Sequence, residues 1–217
     1  PRFIYRIEKQ RVGGTSSKLD AYELASRMSY ILWGAPPDEE LFRAADAGEL
    51  SDAKKVEAHV QRMLDDPRAV ARSKQFMHEW LNLGRLANMR PNEKKYPDWD
   101  PELAADMRDE TLAFFEHIAW RKKRPLADLF DAQITFATPR LAKHYGLPKQ
   151  ARQSQDGERA VYELSSVPSR GGLLTQGSVL TVGGDEASMV TRGLFVLHDV
   201  LRGRVEDPPP CVDTTPV

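Results

Sequence analysis

At Asp66-Pro67, Asp100-Pro101 and Thr138-Pro139 a helix-capping residue stands directly before a proline, within reach of a helical stretch. The side-chain oxygen of Asp or Thr accepts the free N–H groups of a first helical turn, and a proline in that turn has its φ preset and no N–H to leave unpaired. Each pair therefore starts a helix. Behind the first two, apolar residues recur every three or four positions: Val70, Phe76, Met77, Trp80 and Leu81, then Leu103, Met107, Phe114 and Ile118.

The same reading extends along the chain. Asp20 with Glu23 forms a capping box ahead of Ala21, Leu24, Met28 and Ile31, and Gly34 before Pro36 stops that helix. Asp38 opens a short acidic-ended helix closed by Gly48, and Ser51 caps another whose Val56, Val60, Met63 and Leu64 share a face. The spacing predicts helices over about 21–33, 38–47, 52–65, 67–83, 101–121 and 189–202, the last carrying Val190, Leu194, Leu197 and Leu201. Strand is expected only near 134–136 and 161–165, and the polar stretch from Lys149 to Arg159 reads as a loop. Met28, Ile31, Trp33, Phe76, Trp80, Met107, Phe114 and Leu197 form the expected core. Pro208-Pro209-Pro210 favours an extended tail after the last helix. The fold class is all-α: an irregular helical bundle divided near residue 150, with a small C-terminal helical cap.

Composition excludes several partners. With 217 residues, 41% of them hydrophobic, the chain has material for a sizeable core, so disorder is not its default. A formal charge of −1 gives no net field to attract nucleic acid or an anionic membrane. No apolar run approaches the roughly 20 residues a membrane-spanning helix needs. The single Cys211 has no internal disulfide partner. Both ends, Pro1-Arg2-Phe3 and the proline-rich run to Val217, read as cuts within a longer protein.

No catalytic motif emerges. His78-Glu79-Trp80-Leu81-Asn82 resembles the start of a zinc-protease helix, but Asn82 stands where the second histidine ligand belongs. Gln176-Gly177-Ser178-Val179-Leu180 lacks the glycines of a nucleophile elbow. Histidines 59, 78, 117, 144 and 198 are spread over five predicted helices, which gives no metal or nucleophile–base spacing. Arg121-Lys122-Lys123-Arg124 reads as the cationic end of a helix rather than a nucleic-acid patch.

Glu110 stands apart, because at 100° per residue it falls among Leu103, Met107 and Phe114 on the apolar side of the longest helix. A carboxylate there must be paired, protonated or placed at a cleft. It should lie within hydrogen-bonding reach of an arginine or of backbone or side-chain donors; Arg27, which flanks the inward stripe of the first helix, is the first choice of partner, with Arg170 and Arg192 next. A hydrolase built on Glu110 and a histidine from another helix is the competing reading. A third places polysaccharide or protein recognition in the loop Tyr96-Pro97-Asp98-Trp99.

Several stretches taken together carry a resemblance. Leu19-Asp20-x-Tyr22-Glu23-Leu24-Ala25-Ser26-Arg27-Met28-Ser29-Tyr30-x-Leu32-Trp33, Met107-Arg108-x-Glu110-Thr111, Arg140-Leu141-Ala142-x-His144-Tyr145-Gly146 and Arg170-Gly171-Gly172-Leu173-Leu174-Thr175-Gln176 are similar to planctomycete secreted-domain proteins, large exported bacterial proteins of unknown function. The resemblance implies a helical secreted domain over 1–150. It implies that 151–217, with Arg170, Gln176 and Arg192, opens a cytochrome c-like module. It further implies a periplasmic or extracellular location and haem c attached through a Cys-x-x-Cys-His motif downstream of this chain. The expected role is the helical scaffold of an exported cytochrome c-like protein engaged in electron transfer or oxidation, with the haem-bearing remainder or a co-exported redox partner as its companion. Cys211 has neither the second cysteine nor the histidine, so no haem-attachment residue falls in this chain.

Overall fold

A computed structural model describes residues 19–147, 152–153, 159–186 and 188–205. The proline tail, Cys211 and the N-terminal stretch before Leu19 lie outside the described residues. The fold is mostly helical, as the capping pattern predicts. The chain divides after Met77 into two compact units.

The first unit is built from α1 (Ala21–Leu32), α2 (Glu39–Asp46), α3 (Ala53–Leu64) and the first turns of α4 (Pro67–Trp80). The capping box at Asp20 and Glu23 is formed in both directions, and Asp38 caps α2 through the Leu41 N–H. Residues 49–51 form a 3-10 turn instead of joining α3, so the cap of α3 is Asp52 rather than Ser51. Trp33 is buried in this unit; its indole N–H donates to the Met63 carbonyl at 2.9 Å. The Arg68 guanidinium lies 3.5 Å over the Trp33 ring. Leu41, Met63 and Ala25 complete the core.

Ile31, expected inside, is exposed. The buried face of α1 is set by Ala25, Met28 and Ser29, and Ile31 falls at its edge. Phe76 is also exposed, because Met77 and Leu81, one turn apart, take the inward positions. Phe76 and Trp80 precede them by one residue and are turned aside; Trp80 is half-buried.

The second unit centres on α5 (Pro101–Glu116), opened by Asp100, whose carboxylate accepts the Leu103 N–H at 2.6 Å. A π turn, His117–Arg121, prolongs it to the expected length. Beside it lie β1 (Ile134–Ala137), α6 (Pro139–Tyr145), β2 (Arg152–Gln153) and β3 (Ala160–Glu163). The strands form one small antiparallel sheet in the order β1-β3-β2. Strand β2 corrects the reading of 149–159 as loop throughout: Arg152 and Gln153 pair with Val161 and Ala160. It lies at the edge of the sheet, and its backbone pairing is not something an alternation of apolar residues reveals. The pairing of β1 with β3 spans the division expected near residue 150, which falls inside this unit.

Leu103, Met107, Leu141, Ala137, Tyr162 and Leu164 make one apolar cluster. Trp99 packs on its margin, which accounts for the aromatic in the loop before α5. Next come a 3-10 turn at Leu173–Thr175, α7 (Gly177–Leu180) and α8 (Met189–Phe195) with a π turn at Val196–Val200. The final helix is less buried than its spacing predicts. Leu197 is half-buried, and Val190, Leu194 and Leu201 are exposed, since no layer among the described residues covers that side.

Candidate functional site

Glu110 is 1% exposed, at the centre of the packed face of α5. Two elements bring hydroxyl groups to it. Strand β1 alternates Thr135 toward the helix, and the Thr135 hydroxyl donates to Glu110 Oε1. Helix α6 starts at Thr138, whose oxygen accepts the Leu141 N–H, and ends at Gly146 with φ 65°. Its last residue, Tyr145, donates its hydroxyl to Glu110 Oε2 at 2.7 Å.

The contacts continue into the 170–180 segment. The Gly177 N–H donates to the Tyr145 oxygen at 2.7 Å, so the phenol joins the start of α7 to α5. A Cβ at 177 would stand 2.5 Å from that oxygen and 2.8 Å from Met107 Sδ, so only glycine allows this approach. Thr111, one residue after Glu110, is fully buried; it donates to Gln176 Oε1 at 2.8 Å and lies 2.6 Å from the Ser178 hydroxyl. A hydroxyl has one proton, so Ser178 donates to Thr111 when Thr111 donates to Gln176. Gln176 Nε2 is buried without a hydrogen-bond partner among the described residues. A cavity of about 10 Å3, room for one water molecule, lies between Glu110, Thr135, Arg170, Thr175 and Gln176.

Arg170 supplies the positive charge. Its guanidinium lies 3.6 Å over the Tyr145 ring and donates to the Thr175 carbonyl at 3.2 Å. Burial pushes the Glu110 carboxyl up to about 7, against the opposing pull of the Thr135 and Tyr145 hydrogen bonds and the Arg170 charge. The Tyr145 phenol is raised well above its usual range, first by burial and then by the Glu110 charge and its hydrogen bond.

Glu110 meets side-chain donors, as expected of a buried carboxyl, but they are neutral hydroxyls where an arginine was the first choice. Neutral hydroxyls hold both carboxyl oxygens, and the full charge of Arg170 reaches Glu110 only through space and the shared Tyr145. Arg27 lies on α1 of the first unit. Arg192 lies on α8, and among the described residues its side chain makes no hydrogen bond or ion pair. Arg170, Glu110 and Gln176 do meet around one cavity. Thr111, Thr135 and Tyr145 were not singled out from the sequence, and Ser178 was weighed only as a nucleophile that its neighbours do not support. Tyr145 had a usable signal, its place just before the helix-ending Gly146 in a stretch that carries the resemblance. Thr135 had only the alternation of Ile134-Thr135-Phe136.

The other motifs resolve locally. Asn82 leaves the helical path of α4 with φ 47°, which removes the zinc-helix geometry. Among the described residues no three His, Cys, Asp or Glu side chains converge on a metal position. The basic run is paired at both ends, Arg121 with Glu116 at 2.9 Å and Arg124 with Asp128 at 2.6 Å. No helix among the described residues is long and apolar enough to cross a membrane.

The comparisons with known proteins follow the same division as the hydrogen bonds. Residues 170–217 match the family described as PSCyt3, protein of unknown function (DUF1588). No curated protein and no solved structure matches the chain. The model of the family described as PSD4, protein of unknown function (DUF1592), matches residues 19–147, more than half of the chain. The chain therefore belongs to this PSD4 family of proteins of unknown function.

Proposed function

We propose that this chain is the helical scaffold of an exported, cytochrome c-like protein, and that its second unit clamps the start of the PSCyt3 segment onto the PSD4 helices. One observation carries the reading: a single buried network runs from Glu110 and Thr111 on α5, through Tyr145, to Gly177, Gln176 and Ser178. These groups come from both matched segments. A buried polar network is favourable only when its members are held in register, so it fixes one arrangement of the two segments against alternatives.

The enclosed position of Glu110, with space for one water beside it, suits such a role better than hydrolysis. Attachment of haem c needs two cysteines and a histidine in one motif, and the chain has one cysteine, followed by Val212 and Asp213. The residues present do not fit a covalently attached haem. In this reading the haem belongs to further sequence of the same protein or to a co-exported redox partner, and the scaffold supports electron transfer or oxidation there.

The test is the visible spectrum and intact mass of the protein purified from its native host, together with cell fractionation. A Soret band, added haem mass and recovery outside the cytoplasm are expected. A haem-free protein with no haem-bearing companion, or one confined to the cytoplasm, would overturn the redox part of the proposal.

A further inference from the structure

A cleft of about 490 Å3 lies elsewhere in the second unit, between the end of α4 and the α7–α8 region. That volume falls within the range of small-molecule sites, roughly 300–1,000 Å3. Trp80, Leu81, Val182 and Phe195 give it apolar and aromatic walls, and Arg85 lines it as well. Arg85 is half-buried, and among the described residues no carboxylate pairs with it. Its Nη2 donates to the Ser178 carbonyl and, at 3.4 Å, to the Thr181 hydroxyl. Nη1 is buried with no hydrogen-bond partner among the described residues. Burial alone draws the guanidinium below its usual range.

The backbone around the cleft is also specialised. Asn82 holds a left-handed φ of 47°, a conformation that costs a non-glycine residue and persists where the surroundings enforce it. Gly183, at φ 119°, passes so close to Ser188 that a Cβ would stand 2.8 Å from its nitrogen. The wall therefore requires glycine there.

We infer that this cleft binds a small organic monocarboxylate, its apolar or aromatic body between Trp80 and Phe195 and its carboxylate on Arg85. A planar guanidinium without a fixed counter-charge is matched by a carboxylate, which supplies the acceptors that the protein leaves out. The aromatic walls favour a ligand with an apolar body over an inorganic anion. Asp199, exposed at the same cleft, disfavours dianions and selects a single negative charge. The site does not depend on the scaffold reading, since it shares none of the Glu110 network's hydrogen bonds except the neighbourhood of Ser178.

The experiment is calorimetric titration of the whole chain with 4-phenylbutyrate and, separately, with its neutral amide, repeated on Arg85→Gln and Thr191→Trp. Thr191 lines the cleft with an exposed side chain, so the tryptophan fills the space while leaving Arg85 in place. Saturable binding of the acid below about 1 mM is expected, at least tenfold tighter than the amide, with a tenfold or greater loss in either variant. If Arg85→Gln fails to fold by circular dichroism, Thr191→Trp decides. Equal binding of acid and amide, binding untouched by Thr191→Trp, or no saturable binding overturns the inference.

Discussion

Tyr145 gives its phenolic hydrogen to Glu110 at 2.7 Å while its oxygen takes the N–H of Gly177 at the same distance. The phenol therefore holds a carboxyl from one matched segment and a backbone amide from the other. Its ring is meanwhile covered by Arg170, from the same segment as Gly177.

Removing that hydroxyl leaves two buried groups unpaired. Tyr145→Phe keeps the ring under Arg170 but strips Glu110 Oε2 of a donor and the Gly177 N–H of its acceptor. Each buried unpaired group costs about 1–3 kcal/mol, so the variant should lose about 2–6 kcal/mol in urea unfolding. A loss within about 0.5 kcal/mol, typical of surface changes, would show that the hydroxyl is not buried in the network.

The pH dependence has a defined sign. Unfolded, the Glu110 carboxyl ionises at its ordinary value of 4.5; folded, burial holds its proton up to about 7. Between those values the folded state binds more protons, so this group's contribution makes stability fall as pH rises through the window and level off above it. At about 1.4 kcal/mol for each pH unit the fall is about 3 kcal/mol. Glu110→Gln keeps a neutral group there, so unfolding curves collected across the window should be flatter for the variant than for the wild type.

Gly177→Ala tests the close approach itself. The added methyl meets the Tyr145 oxygen and Met107 Sδ well inside contact distance, so the start of α7 must move away. An overpacked site of this kind costs about 1–3 kcal/mol. Calorimetric melting should show a lower Tm, and Gly184→Ala, where a Cβ meets nothing within 4 Å but φ is 76°, should show the cost of φ alone.

In the first unit the corresponding anchor is Trp33. Trp33→Phe removes the indole bond to the Met63 carbonyl and weakens the contact with Arg68, so a loss of about 1–3 kcal/mol is expected by chemical denaturation.

The helices were legible because their ends are written in capping residues. Asp20, Asp38, Asp100 and Thr138 all make the side-chain caps that their positions imply. Glu110 was legible as a buried carboxyl because helical periodicity alone places it among Leu103, Met107 and Phe114. Its partners were not. Thr135 and Tyr145 are neutral and lie 25 and 35 residues away, and nothing local marks a hydroxyl as the donor to a distant carboxyl. Seeking opposite charge led to Arg27, whereas a desolvated carboxyl near pH 7 needs donors more than a counter-ion. Strand β2 was hidden for a related reason: its pairing with β3 comes from backbone groups, which every residue carries.

The claim that one buried network holds the 170–180 segment to α5 is tested most directly by hydrogen exchange of backbone amides, compared between wild type and Tyr145→Phe. In the wild type the Gly177 amide and its neighbours in α7 should be protected. In the variant they should exchange faster together with residues 134–137 of β1, since the Thr135 hydroxyl donates to Glu110 directly and the Gly177 amide is joined to it through the Tyr145 oxygen. Unprotected Gly177 in the wild type, or unchanged protection of α7 in the variant, would contradict the account.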